Sequence, residues 1–312
     1  MIRYVKRKEL DSSAWDDCID RSANSLIYAY TFYLDTMSDQ WDALIMGDYE
    51  YVMPVTWRQK FGYRYLYPPP FTQQGGIFSA KAITTKIIDE FLQSARQQFS
   101  YGDIFLNYAC GGAELSPHCN LVLPLSPAYE QLRGNYKKDL SNNLRAAAKH
   151  SFRFAATNDF NTVLRLFKMR YASKIGSISS DGYSRFARLL THKELRGLCL
   201  ARTVTSYDND LLATALLLVS GNRMYLLHSY VSDRGRSMKA NHFLLDRLIH
   251  EFAGSDMLLD FEGSDIPGIA SYYMNFGATS QPYYFYSFNH LPPPVAIAKR
   301  FYDKLFKSPG KE

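Results

Sequence analysis

Residues 257–278 read MLLDFEGSDIPGIASYYMNFGA. Leu258, Leu259 and Phe261 make a short apolar run, and Gly263 and Ser264 allow a turn. Ser264 or Asp265 can then cap a helix that carries Pro267 in its first turn. Tyr272, Tyr273 and Phe276 recur at helical spacing, and Gly277 ends the helix. The stretch is therefore a strand, a turn and a helix. Asp260 and Glu262 fall at the strand's C-terminal end, where open α/β sheets place their ligands.

Working outward, Ser237–Phe252 forms an apolar-faced helix through Phe243, Leu244, Leu248, Ile249 and Phe252. Three strands come before it, at 198–205, 211–221 and 224–232, with Gly221-Asn222 as the turn between the last two. A strand at 152–159 and helices at 159–174 and 182–193 come earlier still. A strand at 283–288 and a helix at 294–306 follow. Strands alternating with helices in this way give an α/β class with mixed sheets.

The first half has a looser version of the same order. Strands are expected at 1–10, 25–30, 41–48, 49–58, 103–109 and 120–126, and helices at 12–22 and 81–99. Gly47-Asp48 marks a hairpin. The triple proline Pro68, Pro69, Pro70 opens a loop through Gly75 and Gly76. Residues 128–150 read as a basic helix pair connecting the two halves, which gives domains at 1–127 and 151–312.

Composition bounds the class. Of the 312 residues, 46% are apolar and 21% charged, enough for a sizeable core. The net charge of +6 is mild and does not itself imply nucleic acid. Cys18, Cys110, Cys119 and Cys199 lack metal-site spacing and read as structural thiols. No metal is expected. The N-terminus lacks a signal-peptide core and no window is long enough to span a membrane, so a reduced, cytoplasmic protein is expected.

Three segments carry a family resemblance: PPFTQQGGIF at 69–78, YKKDLSNNLRAAAKH at 136–150 and DFEGSDIPGIASYYMNFGA at 260–278. In this order they resemble the GNAT acyltransferase superfamily, and its FemABX-like branch with the BioF2-like acetyltransferases more closely. The resemblance implies two tandem GNAT-like domains and transfer of an acyl or aminoacyl group to an amine. The donor would be an acyl-CoA and the acceptor an amine of a small molecule or amino sugar. The alternatives are an aminoacyl-tRNA-dependent transferase acting on a cell-wall precursor, for which the basic helix would contact RNA, and a degenerate scaffold that only binds. The family's donor loop, Q/R-x-x-G-x-G/A, is replaced here by DRGRSMKANHFLL at 233–245.

The chemistry assigns roles to named residues. Glu262 and Asp260 are candidate bases or amine anchors, because burial raises a carboxylate's pKa. Read without a function they are turn and cap carboxylates. His228, on the central strand, is a second candidate base or else a core residue. The resemblance makes Tyr273 the proton donor to the leaving thiolate, with Tyr272 beside it in the cleft. Arg234, Gly235, Arg236, Ser237, Lys239 and Asn241 are the candidate donor-binding residues, suited to phosphate at a helix start or else a solvated turn. Gln73 and Gln74 are candidate cleft lining.

Overall fold

The computed structural model describes residues 1–111, 115–171, 178–263 and 265–306. It divides into two compact units. One comprises residues 1–117, 175–182 and 283–312, and the other residues 118–174 and 183–282.

The first unit is built on a seven-stranded mixed sheet. Its strands are β1 (Ile2–Lys6), β2 (Gln40–Met46), β3 (Tyr51–Lys60), β4 (Tyr63–Leu66), β5 (Tyr101–Leu106) and β6 (Ser116–His118), with a late strand between β5 and β6. The first four pair antiparallel in sequence order, and β4 and β5 pair in parallel. Helices α1 (Ser12–Arg21), α2 (Thr31–Met37) and α3 (Thr85–Gln98) also belong to it. Asp11 caps α1 by accepting from the Ser13 and Ala14 amides. Ile88, Phe91, Leu92 and Ala95 of α3 bury their stripe against Leu44, Val55, Leu66 and Leu106.

The 25–30 run expected as a strand is instead a 3-10 turn over Ile27–Ala29 leading into α2. Ile27, Tyr28 and Ala29 are all buried, so the run lacks the alternation that would tell a strand from a turn. Asp16 fixes the start of α2 by accepting from both the amide and the hydroxyl of Thr31, at 2.8 and 2.6 Å. Among the described residues all four cysteines are free thiols, with Cys119 alone half-buried.

The second unit has its own seven-stranded sheet. In chain order its strands are β7 (Leu121–Pro124), β8 (Arg153–Thr157), β9 (Cys199–Thr205), β10 (Leu211–Ser220), β11 (Arg223–Val231), β12 (Leu258–Asp260) and β13 (Thr279–Ser280). In space they run β8-β9-β10-β11-β12-β7-β13. The first sheet follows the same pattern, β1-β2-β3-β4-β5-β14-β6, once β14 (Tyr283–Asn289) is placed. In each sheet a parallel pair, β4–β5 or β11–β12, follows three antiparallel pairings. The internal duplication suspected from the sequence is thus a correspondence of strand order.

Hydrogen bonding does not follow the linear boundaries at 127 and 151. β7, from the first half of the sequence, pairs with β12, and β14, after the second unit, pairs with β5. Nor are residues 128–150 a connector. They form α4 (Tyr129–Gly134) and α5 (Lys138–Ala147), and Leu132, Tyr136, Leu140 and Leu144 lie in the second unit's core beside Leu244 and Leu248. Their charged residues form the solvent face of an amphipathic pair.

Further along are α6 (Phe160–Tyr171) and α7 (Ser180–Leu190); the expected end of the first of these, at 172–174, lies outside the described residues. The single helix expected over 237–252 is two helices, α8 (Asp233–Ser237) and α9 (Ala240–Phe252). Lys239 between them has φ +63°, which no α-helix accepts. α10 (Pro267–Met274) and α11 (Pro293–Phe306) complete the chain.

One ion pair ties the root of β11 to the end of β12. Arg223 and Asp260 are 5% and 0% exposed, and Arg223 Nη2 lies 2.6 Å from Asp260 Oδ2. Arg223 also donates to Gln281 Oε1 at 2.6 Å, and Asp260 Oδ1 accepts from the Glu262 amide at 2.9 Å. Removing one partner strands a buried charge. Arg223→Met is expected to lower unfolding free energy by about 3–5 kcal/mol. Arg223→Met/Asp260→Leu together should recover most of that loss in urea denaturation.

Candidate functional site

The second unit's parallel pair is short. β11 and β12 are in register only from Arg223↔Leu258 to Tyr225↔Asp260. β12 ends there, while β11 continues to Val231. Past Tyr225 the edge of β11 has no strand partner on this side among the described residues. The two strands make a fork whose long arm offers backbone donors and acceptors to an extended ligand. A bulge lies in that arm, since Leu216 pairs with His228 and Leu217 with Leu226, leaving Leu227 extra.

On one side of the fork stands a hydrogen-bonded relay. Ser229 Oγ donates to Asn241 Oδ1 at 2.9 Å, and Asn241 Nδ2 donates to the Tyr272 hydroxyl oxygen at 2.7 Å. The relay joins β11, the first turn of α9 and α10. His242 meets the Tyr272 ring edge-on, with centroids 5.1 Å apart. Burial, with Lys239 nearby, pushes the His242 imidazole down to about 4.

Beyond β12 the chain turns sharply. Glu262 has φ +58°, a conformation that costs a non-glycine residue energy and often marks a working position. It is half-buried, and desolvation pushes its carboxyl up to about 8. Gly263 follows at φ +33°, where a Cβ would lie 2.1 Å from the Cys119 carbonyl oxygen. Only glycine lets this turn press against residues 119–120. Asp265 braces the same strip, accepting from the Cys119 amide at 2.8 Å and lying 2.6 Å from His118 Nδ1.

Two expected acid–base residues do not lie in this arrangement. Asp260 is locked in the Arg223 pair described above and serves the fold rather than proton transfer. His228 is 3% exposed, stacks on Phe167 with centroids 4.0 Å apart and meets Phe186 edge-on. Burial pushes its imidazole down to about 3, so it stays neutral as a core ring. Tyr273 stacks on Phe261 with centroids 4.5 Å apart, and the Tyr272 hydroxyl oxygen accepts from Asn241.

The expected donor-binding residues divide. Ser232, not among them, caps α8 by accepting from the Gly235 amide at 3.0 Å. Gly235 approaches β10 so closely that a Cβ would lie 2.4 Å from the Leu212 carbonyl oxygen. Arg234 pairs with Asp208 and Asp210, and Ser237 Oγ donates to the Arg234 carbonyl at 2.8 Å. Arg236 remains exposed and Lys239 half-buried, just before α9. Asn241 faces the relay. Ser229 was missed because a serine within a strand carries no signal until its neighbour across the sheet is known. No cluster of three or more His, Cys, Asp or Glu side chains fit to hold a metal occurs among the described residues.

Gln73 and Gln74 lie in the first unit, beside its own parallel pair. β4 and β5 are in register only at Tyr65↔Tyr101 and Leu66↔Gly102. Here the edge is closed. The Gly75 amide donates to the Phe105 carbonyl at 2.7 Å, and the Asn107 amide donates to the Gly75 carbonyl at 3.0 Å. Gln74 is fully buried, donating to Gln73 Oε1 and accepting from the Tyr108 amide. The chain leaving β4 is Pro68-Pro69-Pro70, which has no N–H to offer. The remaining cavity, ≈ 40 Å³, is lined by residues including Tyr28, Thr56, Gln74 and Phe105.

Known proteins fit this geometry. Residues 134–265, which span the relay arm and Glu262, match the acetyltransferase (GNAT) domain family. No curated protein matches the chain in sequence. Among solved structures, FemX aligns at 12% identity and TM-score 0.62, over 96% of this chain and 99% of that one. The C-terminal domain of a putative lysylphosphatidylglycerol synthetase from Agrobacterium fabrum aligns at 12% identity and TM-score 0.55, over 95% and 96%. A tandem GNAT protein from the clavulanic acid biosynthesis pathway aligns at 11% identity and TM-score 0.52, over 94% and 99%. With two sheets of one strand order and a GNAT domain matched over 134–265, the chain has a tandem GNAT-like fold similar to that of FemX.

Proposed function

We propose that this protein is an N-acyltransferase whose single donor site is the fork of the second unit. The observation that carries the reading is the open edge of β11 past Tyr225, set beside Glu262 and the Ser229–Asn241–Tyr272 relay. An extended pantetheine arm matches a strand edge, and an acyl-CoA supplies an activated thioester carbonyl there. Arg236 and Lys239, ahead of α9, would hold its phosphates. The closed edge and the prolines of the first unit support placing the donor in the second.

The side chains divide the proton work. The acceptor amine is an ammonium at neutral pH and must lose a proton before it attacks the carbonyl directly. Glu262 takes that proton. Because its carboxyl titrates near 8, only a minority is ionised at neutral pH, and the ionised share grows as pH rises. Tyr272 gives its proton to the departing thiolate, its oxygen held by Asn241 and the Asn241 amide held by Ser229. Tyr273 packs against Phe261.

One observation favours a second reading, an aminoacyl-tRNA-dependent transferase acting on a cell-wall precursor. Arg234, the first cation of the donor segment, is occupied by Asp208 and Asp210, which weakens the case for a CoA pyrophosphate.

Thermal melts with acetyl-CoA, longer acyl-CoAs and free CoA separate the two. The first reading expects a saturable rise in Tm, equivalent to about 2.7 kcal/mol at a hundredfold excess over Kd. No rise with folded protein overturns it. Steady-state transfer from the best donor should increase with pH up to about 8. Glu262→Gln should lower kcat by roughly 10²–10⁴ and flatten that rise. Tyr272→Phe should lower kcat more than Tyr273→Phe. Stability follows the same group. A carboxyl raised from 4.5 to about 8 in the folded state withdraws stability as pH climbs through that window. The Tm of Glu262→Gln relative to wild type should therefore increase between about pH 5 and about pH 9.

A further inference from the structure

The first unit exposes large apolar side chains on two elements that share one face. Phe61, at the tip of the β3–β4 hairpin, is 86% exposed and sits at φ +50°. A bulky residue in the left-handed region is uncommon, and the Lys60 ammonium lies 5.4 Å from the Phe61 ring centroid. On α11, Ile297 and Phe301, one turn apart, are 53% and 65% exposed.

A run of contacts links the two. Lys60 pairs with Tyr63 and Arg58 with Tyr65 across the hairpin. The Tyr65 ring stacks on Tyr101 at 4.7 Å between centroids and 5° between planes. Lys299 of α11 places its ammonium 4.9 Å from the Tyr101 ring centroid. From 51 to 88 the chain carries no Asp or Glu. Of its five cations, Arg58, Arg64 and Lys81 are paired with Asp39, Asp42 and Glu50. Lys60 at the hairpin, with Lys299 and Arg300 on α11, supplies the positive charge beside the exposed apolar residues.

We propose that this face docks on an anionic phospholipid surface, with Phe61, Ile297 and Phe301 entering the headgroup boundary and Lys60, Lys299 and Arg300 meeting the phosphates. Exposed apolar side chains ringed by cations are what an interfacial site requires. Single-stranded nucleic acid fits less well. The Tyr65 and Tyr101 faces are spent on each other and on Lys299, and Ile297 offers no stacking surface. No described helix is long and apolar enough to cross a membrane, and surface docking needs none.

Vesicle co-flotation of the full chain tests this. Vesicles of phosphatidylcholine alone are compared with vesicles containing phosphatidylglycerol, at low and high salt, alongside binding to an oligouridylate. The expected result is capture by the anionic vesicles only, weakening with salt. Phe61→Ser should lower it about tenfold, and Ile297→Ser/Phe301→Ser by at least as much. Both variants change exposed positions, so their Tm should match wild type. No capture, equal capture by neutral vesicles, or capture unchanged in both variants overturns the proposal. So does binding of the oligouridylate with vesicles left unbound.

Discussion

The site depends on a parallel strand pair that stays together for three residues and then parts. A longer pairing would spend the β11 edge on β12 and leave no backbone groups for a ligand. A shorter one would leave the two arms unrelated. The Arg223–Asp260 pair holds the root of the fork in the dry interior, and Asp260 also takes the Glu262 amide. The same carboxylate thus fixes the strand end and the strained residue that follows. Its burial, which suggested a base in the sequence, is what makes it a fastener.

The two units show what happens to one strand order when such a fork is kept or closed. In the second, the arm past the fork is LLHSYV, with a bulge at Leu227 and an N–H on every residue. In the first, the arm is three prolines, and Gly75 has folded back onto β5. The φ of +88° at Gly76, with Asn107 N 3.1 Å from where a Cβ would stand, shows how tightly that loop is pressed down. Both units keep their cores.

How much of this was legible in the sequence depended on range. The strand-turn-helix of 257–278, the hairpin around Gly47 and the apolar stripe of α3 are local patterns, and each formed where the pattern placed it. The 25–30 run misled because total burial erases the alternation that separates strand from turn. His228 misled for a related reason, since its partners, Phe167 and Phe186, arrive from helices some forty to sixty residues away. In the candidate site, Glu262 was identifiable from its place at a strand end. The contact of Tyr272 with Asn241, itself held by Ser229, is long-range and no local pattern announces it.

The exchange of β7 and β14 has a consequence for synthesis. The first sheet cannot be completed until residue 289 has left the ribosome, because β14 fills the place between β5 and β6. Until then β5 presents an unpaired edge through more than half of the chain's translation, the kind of edge that invites pairing with other chains. The second sheet also waits, since β7 is made well before its partners β12 and β13, but it closes at residue 280. The unit that starts first therefore finishes last, and its β5 edge is where a nascent chain most needs protection.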